Sequence, residues 1–273
     1  MSLLSKGSFP LFEEYVRTYY GINLDGKESL MQARLGVLCQ SKGFDSLHDY
    51  FSFALASPES GETERIIDRL TTNHTYFMRE SEHFRFFMDT ALPWMTNEAG
   101  RRRDLRIWCA GCSSGEEAYT LAICSMEFLK AEGLSDWNSV VLATDLSRKA
   151  LLAAARGVYP GDEMAELPHP WISNYFRQHG DSEYQVTGAL RKNVAFKRMN
   201  LIDPFDFKTP FHSVFCRNVM IYFDNNTKMD VLEKLYSALK PGGYLFIGHS
   251  ESLAQLNNDF IYIQPSVYRK PFK

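Results

Sequence analysis

The sequence predicts an α/β protein with a doubly wound, mostly parallel sheet, preceded by a small all-helical domain. Three observations carry this expectation. From Leu105 onward, short apolar strand candidates alternate with helical patterns. Residues 106–119, RIWCAGCSSGEEAY, read as a buried strand, a loop of small residues and the opening of a helix. Residues 1–72 show helical periodicity without a strong strand signal.

In the first 72 residues, Phe12, Tyr15, Val16, Tyr19 and Tyr20 fall at helical spacing. Ser29 stands where it can cap a second helix with Leu30, Met31, Leu35 and Leu38 on its apolar side. Residues 46–56 and 60–70 give two further helices. Residues 73–104 form a linking segment: a polar start, then a helical pattern through Phe77, Phe84, Phe87 and Met88. Pro93 and the run Arg101-Arg102-Arg103-Asp104 are expected to separate that pattern from the first strand. The α/β domain then covers 105–273. Its strand candidates are 106–110, 139–144, 194–198, 213–217, 244–248 and 266–269, with helices at 115–131, 147–155 and 226–239. Pro241-Gly242-Gly243 marks a turn, and the last two strands have no helix between them, which predicts an edge hairpin. Residues 159–192 form an insertion where one helix is expected, rich in Pro and turn residues, with one strand candidate at 184–187.

Bulk properties exclude several classes. The 273 residues are 45% hydrophobic and 23% charged, a globular composition with enough apolar material for a sizeable core. A net charge of −3 gives no basic signature for nucleic acid or an anionic membrane. No apolar run approaches the ~20 residues of a membrane span, and the first residues lack a signal-peptide pattern. A cytoplasmic protein is expected. Five cysteines, an odd number, fit reduced thiols. Cys109-x-x-Cys112 has metal or redox spacing but no second ligand pair nearby, so no metal site is expected.

The small-residue turn after the first strand lets a ligand approach the backbone. It has Gly111 and Gly115, but neither the dinucleotide glycine spacing nor the phosphate-loop Lys-Ser/Thr. Glu116 beside Gly115 repels phosphate and suits a ligand with a cationic end. Asp145, ending the second strand in VVLATDLS, can accept both hydroxyls of a ribose. Together they favour S-adenosylmethionine, which has ribose and positive charge but no phosphate. Each residue also has a plain structural reading: Asp145 as the N-cap of the next helix, Glu116 as a complement to the helix dipole. Phe84, Phe86 and Phe87 are expected in the core, and His249 in a structural role.

Five segments carry a resemblance. TTNHTYFMRE (71–80), GCSSGEEAY (111–119), ATDLS (143–147), FCRNVMIYFD (215–224) and LKPGGYLFIGHSESL (239–253) resemble, in order, the motifs of the chemotaxis receptor methyltransferases. This is the CheR family of S-adenosylmethionine-dependent protein-glutamate O-methyltransferases. Ala118 stands where the family often has Pro. The resemblance implies a Rossmann-like methyltransferase fold, S-adenosylmethionine as cofactor with S-adenosylhomocysteine as product, and chemoreceptor cytoplasmic domains as substrates. It implies that Asn73, Thr75 and Arg79 close over the cofactor and that Glu116 and Asp145 contact it. Asn200 and Leu201 would border the adenine, and Arg217 and Asn218 the methionine end. Arg79 and Tyr222 would position the acceptor carboxylate. The 159–192 insertion would be a small β-subdomain, which in some members docks a receptor's C-terminal peptide. Two other readings remain: a methyltransferase with a nucleic-acid or small-molecule acceptor, and a non-catalytic module that binds the cofactor or receptor tails.

Overall fold

The computed structural model describes residues 9–71, 74–256 and 258–273. The chain divides into two compact units, Met1–Asn73 with Tyr222–Thr227, and His74–Ile221 with Lys228–Lys273.

The first unit is helical: α1 (Phe9–Tyr20), α2 (Glu28–Ser41), α3 (Leu47–Ala56) and α4 (Glu62–Leu70). The helical spacing of the sequence places Phe12, Val16, Met31, Leu35, Phe51 and Ile66 in its core. Phe12 and Phe51 stack with centroids 3.9 Å apart. Ser46 caps α3 by accepting the Asp49 N–H. Ser29 does not cap α2. That helix starts two residues earlier, after Lys27, and Glu28 supplies the favourable negative charge in its first turn. Glu62 is 5% exposed, yet its carboxylate accepts from Tyr50, Lys42 and Arg65 at 2.6–2.8 Å. Burial alone would raise its pKa; the bonds from Lys42 and Tyr50 outweigh that and lower it.

The second unit opens with α5 (Glu82–Phe86), which passes through a π-helical turn, Phe87–Ala91, into α6 (Leu92–Ala99). Pro93 therefore does not end the helical pattern. The Leu92 N–H reaches back five residues to Phe87 O, and this widened turn makes room for the proline ring in the first turn of α6. Phe84 and Phe87 are buried, and Phe86 packs against the core.

Ten strands follow among the described residues: β1 (Ile107–Ala110), β2 (Val141–Asp145), β3 (Val158–Pro160), β4 (Phe176–His179), β5 (Glu183–Val186), β6 (Val194–Arg198), β7 (Phe211–Cys216), β8 (Leu239–Ile247), β9 (Ile261–Gln264) and β10 (Val267–Arg269). Helices α7 (Glu116–Ala131), α8 (Arg148–Arg156), α9 (His169–Tyr175), α10 (Gly188–Arg191) and α11 (Asn225–Ala238) lie between them. The main sheet has the order β6-β2-β1-β7-β8-β10-β9. Its first five strands are parallel and β10 and β9 are antiparallel. All residues of β1 and β7 are buried, as both faces of a central parallel strand require. Phe215 and Phe246 stack at 4.0 Å on the sheet, and the Trp108 indole donates to Thr144 at 2.9 Å. The chain winds outward from β1 through β2 to β6, then restarts at β7 on the other side of β1. The carboxyl ends of β1 and β7 are thus the topological switch point, where open α/β sheets bind ligands.

Two details depart from expectation. Pro241-Gly242-Gly243 lies within β8, where its pairing with β7 shifts register between Phe211 and Ser213, so it is a bulge rather than a separate turn. The edge hairpin joins β10 to an additional strand, β9, whose Ile261, Tyr262 and Ile263 are exposed. The insertion carries the small β-subdomain that the resemblance implies, a second, three-stranded antiparallel sheet, β3-β5-β4.

Candidate active site

The turn after β1 is pinned before any ligand arrives. The N–H groups of Gly111 and Cys112 both donate to Thr144 O, at 2.7 and 2.9 Å, extending the β1–β2 pairing into the loop. Gly111 has φ +86°, and a Cβ there would stand 2.3 Å from Val219 Cγ2. Gly115 has φ +102°, and a Cβ there would meet Ala154 Cβ at 2.8 Å. Both positions exclude other residues on backbone and space alike. Asp145 closes the turn from β2. Its Oδ2 accepts the Ser113 N–H at 2.7 Å and its Oδ1 the Ser147 N–H at 2.8 Å. The N-cap of α8 is Ser147, not Asp145.

Glu116 opens α7 with 2% exposure. Both its oxygens accept from Ser114 Oγ at 2.9 Å, and among the described residues no cation pairs with it. Burial pushes its pKa up to about 7. Because the folded carboxyl holds its proton more tightly than the unfolded one, the ligand-free protein should lose stability as pH rises from about 4.5 to about 7. The loss is on the order of 3 kcal/mol. Glu116→Gln is expected to remove it, so the variant should gain on the wild type by this amount between pH 5 and 7.5. Urea unfolding of ligand-free protein measures the difference; one that does not change with pH contradicts the assignment.

Arg217, after β7, is the centre of a buried ion network. Its side chain is 1% exposed. It donates to Glu117 at 2.8 Å, to Glu80 at 3.0 and 3.3 Å, and to the carbonyl of Arg79. Asn218 Nδ2 donates to the other Glu80 oxygen at 3.3 Å. The Asn218 backbone is held in turn: its N–H and that of Gly248, at the end of β8, share Glu251 Oε2 at 2.9 and 2.6 Å. Burial would raise Glu80, but the charge of Arg217 prevails and lowers it. At Glu117 burial wins over Arg217 and the pKa rises. Cys109 donates to Glu117, and burial raises the thiols of Cys109 and Cys112, so both are inert packing groups.

Arg79 is not a helix residue, since α5 starts at Glu82. It lies between two residues in the left-handed region, Met78 (φ 61°) and Glu80 (φ 57°). Its guanidinium donates to His74 O at 2.7 Å, rather than to Glu80 or Glu82. Four of the six non-glycine residues with positive φ, among those described, lie in or next to these site elements: Glu80 and Asn218 in the network, Met78 before Arg79, and Ser113 in the turn after β1. Such strain persists only where surrounding structure enforces it, and it clusters at functional sites.

The remaining residues named from the sequence fall as follows. Thr75 is half-buried in the stretch before Arg79. Asn200 and Leu201 follow β6, which pairs with β2 in the parallel sheet; Asn200 Oδ1 accepts the Ile202 N–H at 3.3 Å, and Lys234 fixes the Leu201 carbonyl at 2.8 Å. Tyr222 ends the 3-10 turn Met220–Tyr222, and its carbonyl accepts the Asn23 N–H at 2.7 Å, within the helical unit. Asn73 lies outside the described residues. Sequence reading missed Glu80, Glu117 and Glu251 as partners of the strand-end residues. It also missed Tyr159, at the base of the insertion, whose hydroxyl donates to Ser114 O at 2.7 Å.

These groups fit S-adenosylmethionine. Asp145 offers acceptors for ribose hydroxyls, and Glu116 is a buried carboxylate that a cationic ligand would complement. The comparisons agree. Residues 73–269 match "CheR methyltransferase, SAM binding domain", and residues 8–71 match "CheR methyltransferase, all-alpha domain". The chain is 39% identical to "Chemotaxis protein methyltransferase" of Borreliella burgdorferi, over 98% of this chain and 95% of that protein. It is 35% identical to "Chemotaxis protein methyltransferase 1" of Pseudomonas aeruginosa, over 97% and 98% respectively. It is 33% identical to "Chemotaxis protein methyltransferase" of Escherichia coli, over 97% and 91%. No helix among the described residues is long and apolar enough to cross a membrane. With a Rossmann-like sheet, an all-α unit and the acidic switch-point turn in place, the chain belongs to the CheR methyltransferase family and is an enzyme that uses S-adenosylmethionine.

Proposed function

We propose that the protein transfers the methyl group of S-adenosylmethionine to glutamate side chains of chemoreceptor cytoplasmic domains, forming glutamyl methyl esters. The observation that carries this reading is Arg79. It is held between two strained residues, with its carbonyl tied to buried Arg217, beside an acidic turn suited to the cofactor. A planar guanidinium so placed suits a carboxylate acceptor. S-adenosylmethionine supplies an electrophilic methyl group on a sulfonium. A glutamate acceptor has an unperturbed pKa of about 4.3 and is already an anion at neutral pH, so no residue need act as a general base. What remains for the protein is alignment and exclusion of water. Asp145 and Glu116 would hold the ribose and the cationic end, Asn200 and Leu201 the adenine, and Thr75 and Asn73 would close the site. Arg217 and Asn218 would border the methionine end. Tyr222 is assigned with Arg79 to the acceptor on the family motif alone. Esterification removes a negative charge from a receptor helix, which biases its signalling state.

Transfer of label from methyl-labelled S-adenosylmethionine to a receptor cytoplasmic fragment tests the reading. Release of labelled methanol by base supports a carboxyl ester. A base-stable product points to another acceptor, and tight cofactor binding without transfer points to a binding module. In the same assay Arg79→Ala should lower turnover about 10- to 100-fold while leaving cofactor affinity within about threefold; equal losses make Arg79 a cofactor ligand only.

The insertion, 159–192, is assigned to receptor contact. Support comes from its small sheet, whose edge strand β4 exposes Arg177, Gln178 and His179. An unpaired edge accepts an added peptide strand through main-chain bonds. Replacing the β4–β5 tip by a short linker should spare cofactor binding and weaken receptor pull-down; undiminished pull-down removes the insertion from the docking surface.

A further inference from the structure

Glu80, at the end of the strained segment, and His83, three residues on in α5, are brought together with His249 of the loop after β8. One ligand atom from each lies within 4.8 Å of the others. His83 Nδ1 is 3.5 Å and His249 Nε2 4.0 Å from the same oxygen, Glu80 Oε2. The two imidazoles meet edge to face with centroids 4.9 Å apart. His83 is fully buried, and neither of its ring nitrogens has a hydrogen-bond partner among the described residues. An unpartnered buried imidazole is costly, and the methyltransferase site makes no use of it.

We propose that Glu80, His83 and His249 form a binding site for a zinc-type divalent transition-metal ion, and that an ion bound there opposes methyl transfer. Two imidazoles and one carboxylate select zinc, copper or nickel over magnesium or calcium. Zinc–ligand bonds of about 2.0–2.2 Å in a tetrahedron set the ligand atoms about 3.3–3.5 Å apart. The His83–Glu80 spacing already meets this. His249, whose side chain is 48% exposed, closes by about half an ångström on Glu80 and from within 4.8 Å on His83. Arg217 stands on the same Glu80 oxygen, but it also pairs with Glu117. Two carboxylates, Glu80 and Glu117, share the one Arg217 charge, so an incoming cation meets a site rich in acceptors. Because metal and guanidinium share Glu80 Oε2, binding loosens the tie that fixes Arg217 and, through its bond to the Arg79 carbonyl, the Arg79 segment. The site is independent of which acceptor is methylated, since binding itself is the readout.

Cobalt(II), which reports tetrahedral nitrogen–oxygen coordination by intense visible absorption, is the probe. The full-length protein should bind one ion per chain with a tetrahedral spectrum, displaced by zinc. His249→Ala and Glu80→Gln, each checked by circular dichroism, should weaken binding tenfold or more, while His179→Ala on β4 should leave it unchanged. Zinc should inhibit methyl transfer by the wild type at concentrations at least tenfold below those needed for His249→Ala. A wild type without the tetrahedral spectrum, or a His249→Ala variant with wild-type affinity, overturns the proposal. Equal sensitivity of the two proteins to zinc in the transfer assay overturns its inhibitory part.

Discussion

Arg217→Gln is expected to destabilise the ligand-free protein by about 3–5 kcal/mol, the usual result of removing one partner from a buried ion pair. The side chains of Glu80 and Glu117 are 12% and 15% exposed, and the variant leaves both facing a neutral group. At about 2–4 °C per kcal/mol for a domain of this size, the thermal midpoint should fall by roughly 10 °C. The cost comes mainly from the carboxylates left behind, so Arg217→Gln combined with Glu117→Gln should recover part of the loss. The pH dependence follows the same network. Glu80 is depressed in the folded state, so its contribution is present above its unfolded pKa and is lost as pH falls through the folded value. Arg217→Gln should therefore flatten that acid limb. A midpoint within 2 °C of wild type, measured by differential scanning calorimetry, would show that the network carries little stability.

The central sheet was legible in the sequence because its strands are continuous apolar runs bounded by turn residues, and a buried parallel strand can hardly look otherwise. The helix starts at Ser46 and Ser147 were legible for a similar reason, since each serine accepts the N–H three residues on. What escaped notice lacked period or depended on distant partners. Two strands of the insertion, β3 and β4, span three or four residues, too short to show alternation; only β5 matched a candidate, at 184–187. The exposed apolar side chains of β9 gave no inward and outward faces to read. Pro93 misled because a proline normally ends a helix, and nothing local announces the π-turn that accommodates it. At the site, the strand end named Asp145 and the family motif named Arg217, but no spacing rule joins Arg217 to Glu80, 137 residues away. The same holds for Glu80, His83 and His249: a short spacing in the chain would have flagged a metal site, whereas these ligands come from two ends of the domain.

Asp145→Ala is expected to weaken binding of S-adenosylhomocysteine by a hundredfold or more. In the proposed site two ribose hydroxyls would donate to the carboxylate, each bond contributing about 1.5–3 kcal/mol, and the variant would lose both. Part of the effect is indirect. Asp145 also holds the N–H of Ser113, a residue at φ 49°, and the N–H of Ser147 at the start of α8. Removing the carboxylate frees the strained turn as well as deleting the ribose acceptors. Asp145→Asn separates the two effects. Its amide oxygen can still accept one backbone N–H, but its NH2 cannot accept a hydroxyl proton. If ribose recognition dominates, the asparagine variant loses at least tenfold in affinity while keeping its thermal midpoint close to wild type. If Asp145 acts chiefly by bracing the loop, affinity and midpoint fall together in both variants. Titration calorimetry of ligand binding beside thermal unfolding of the ligand-free proteins distinguishes these outcomes, and wild-type affinity in Asp145→Ala removes the residue from the binding site altogether.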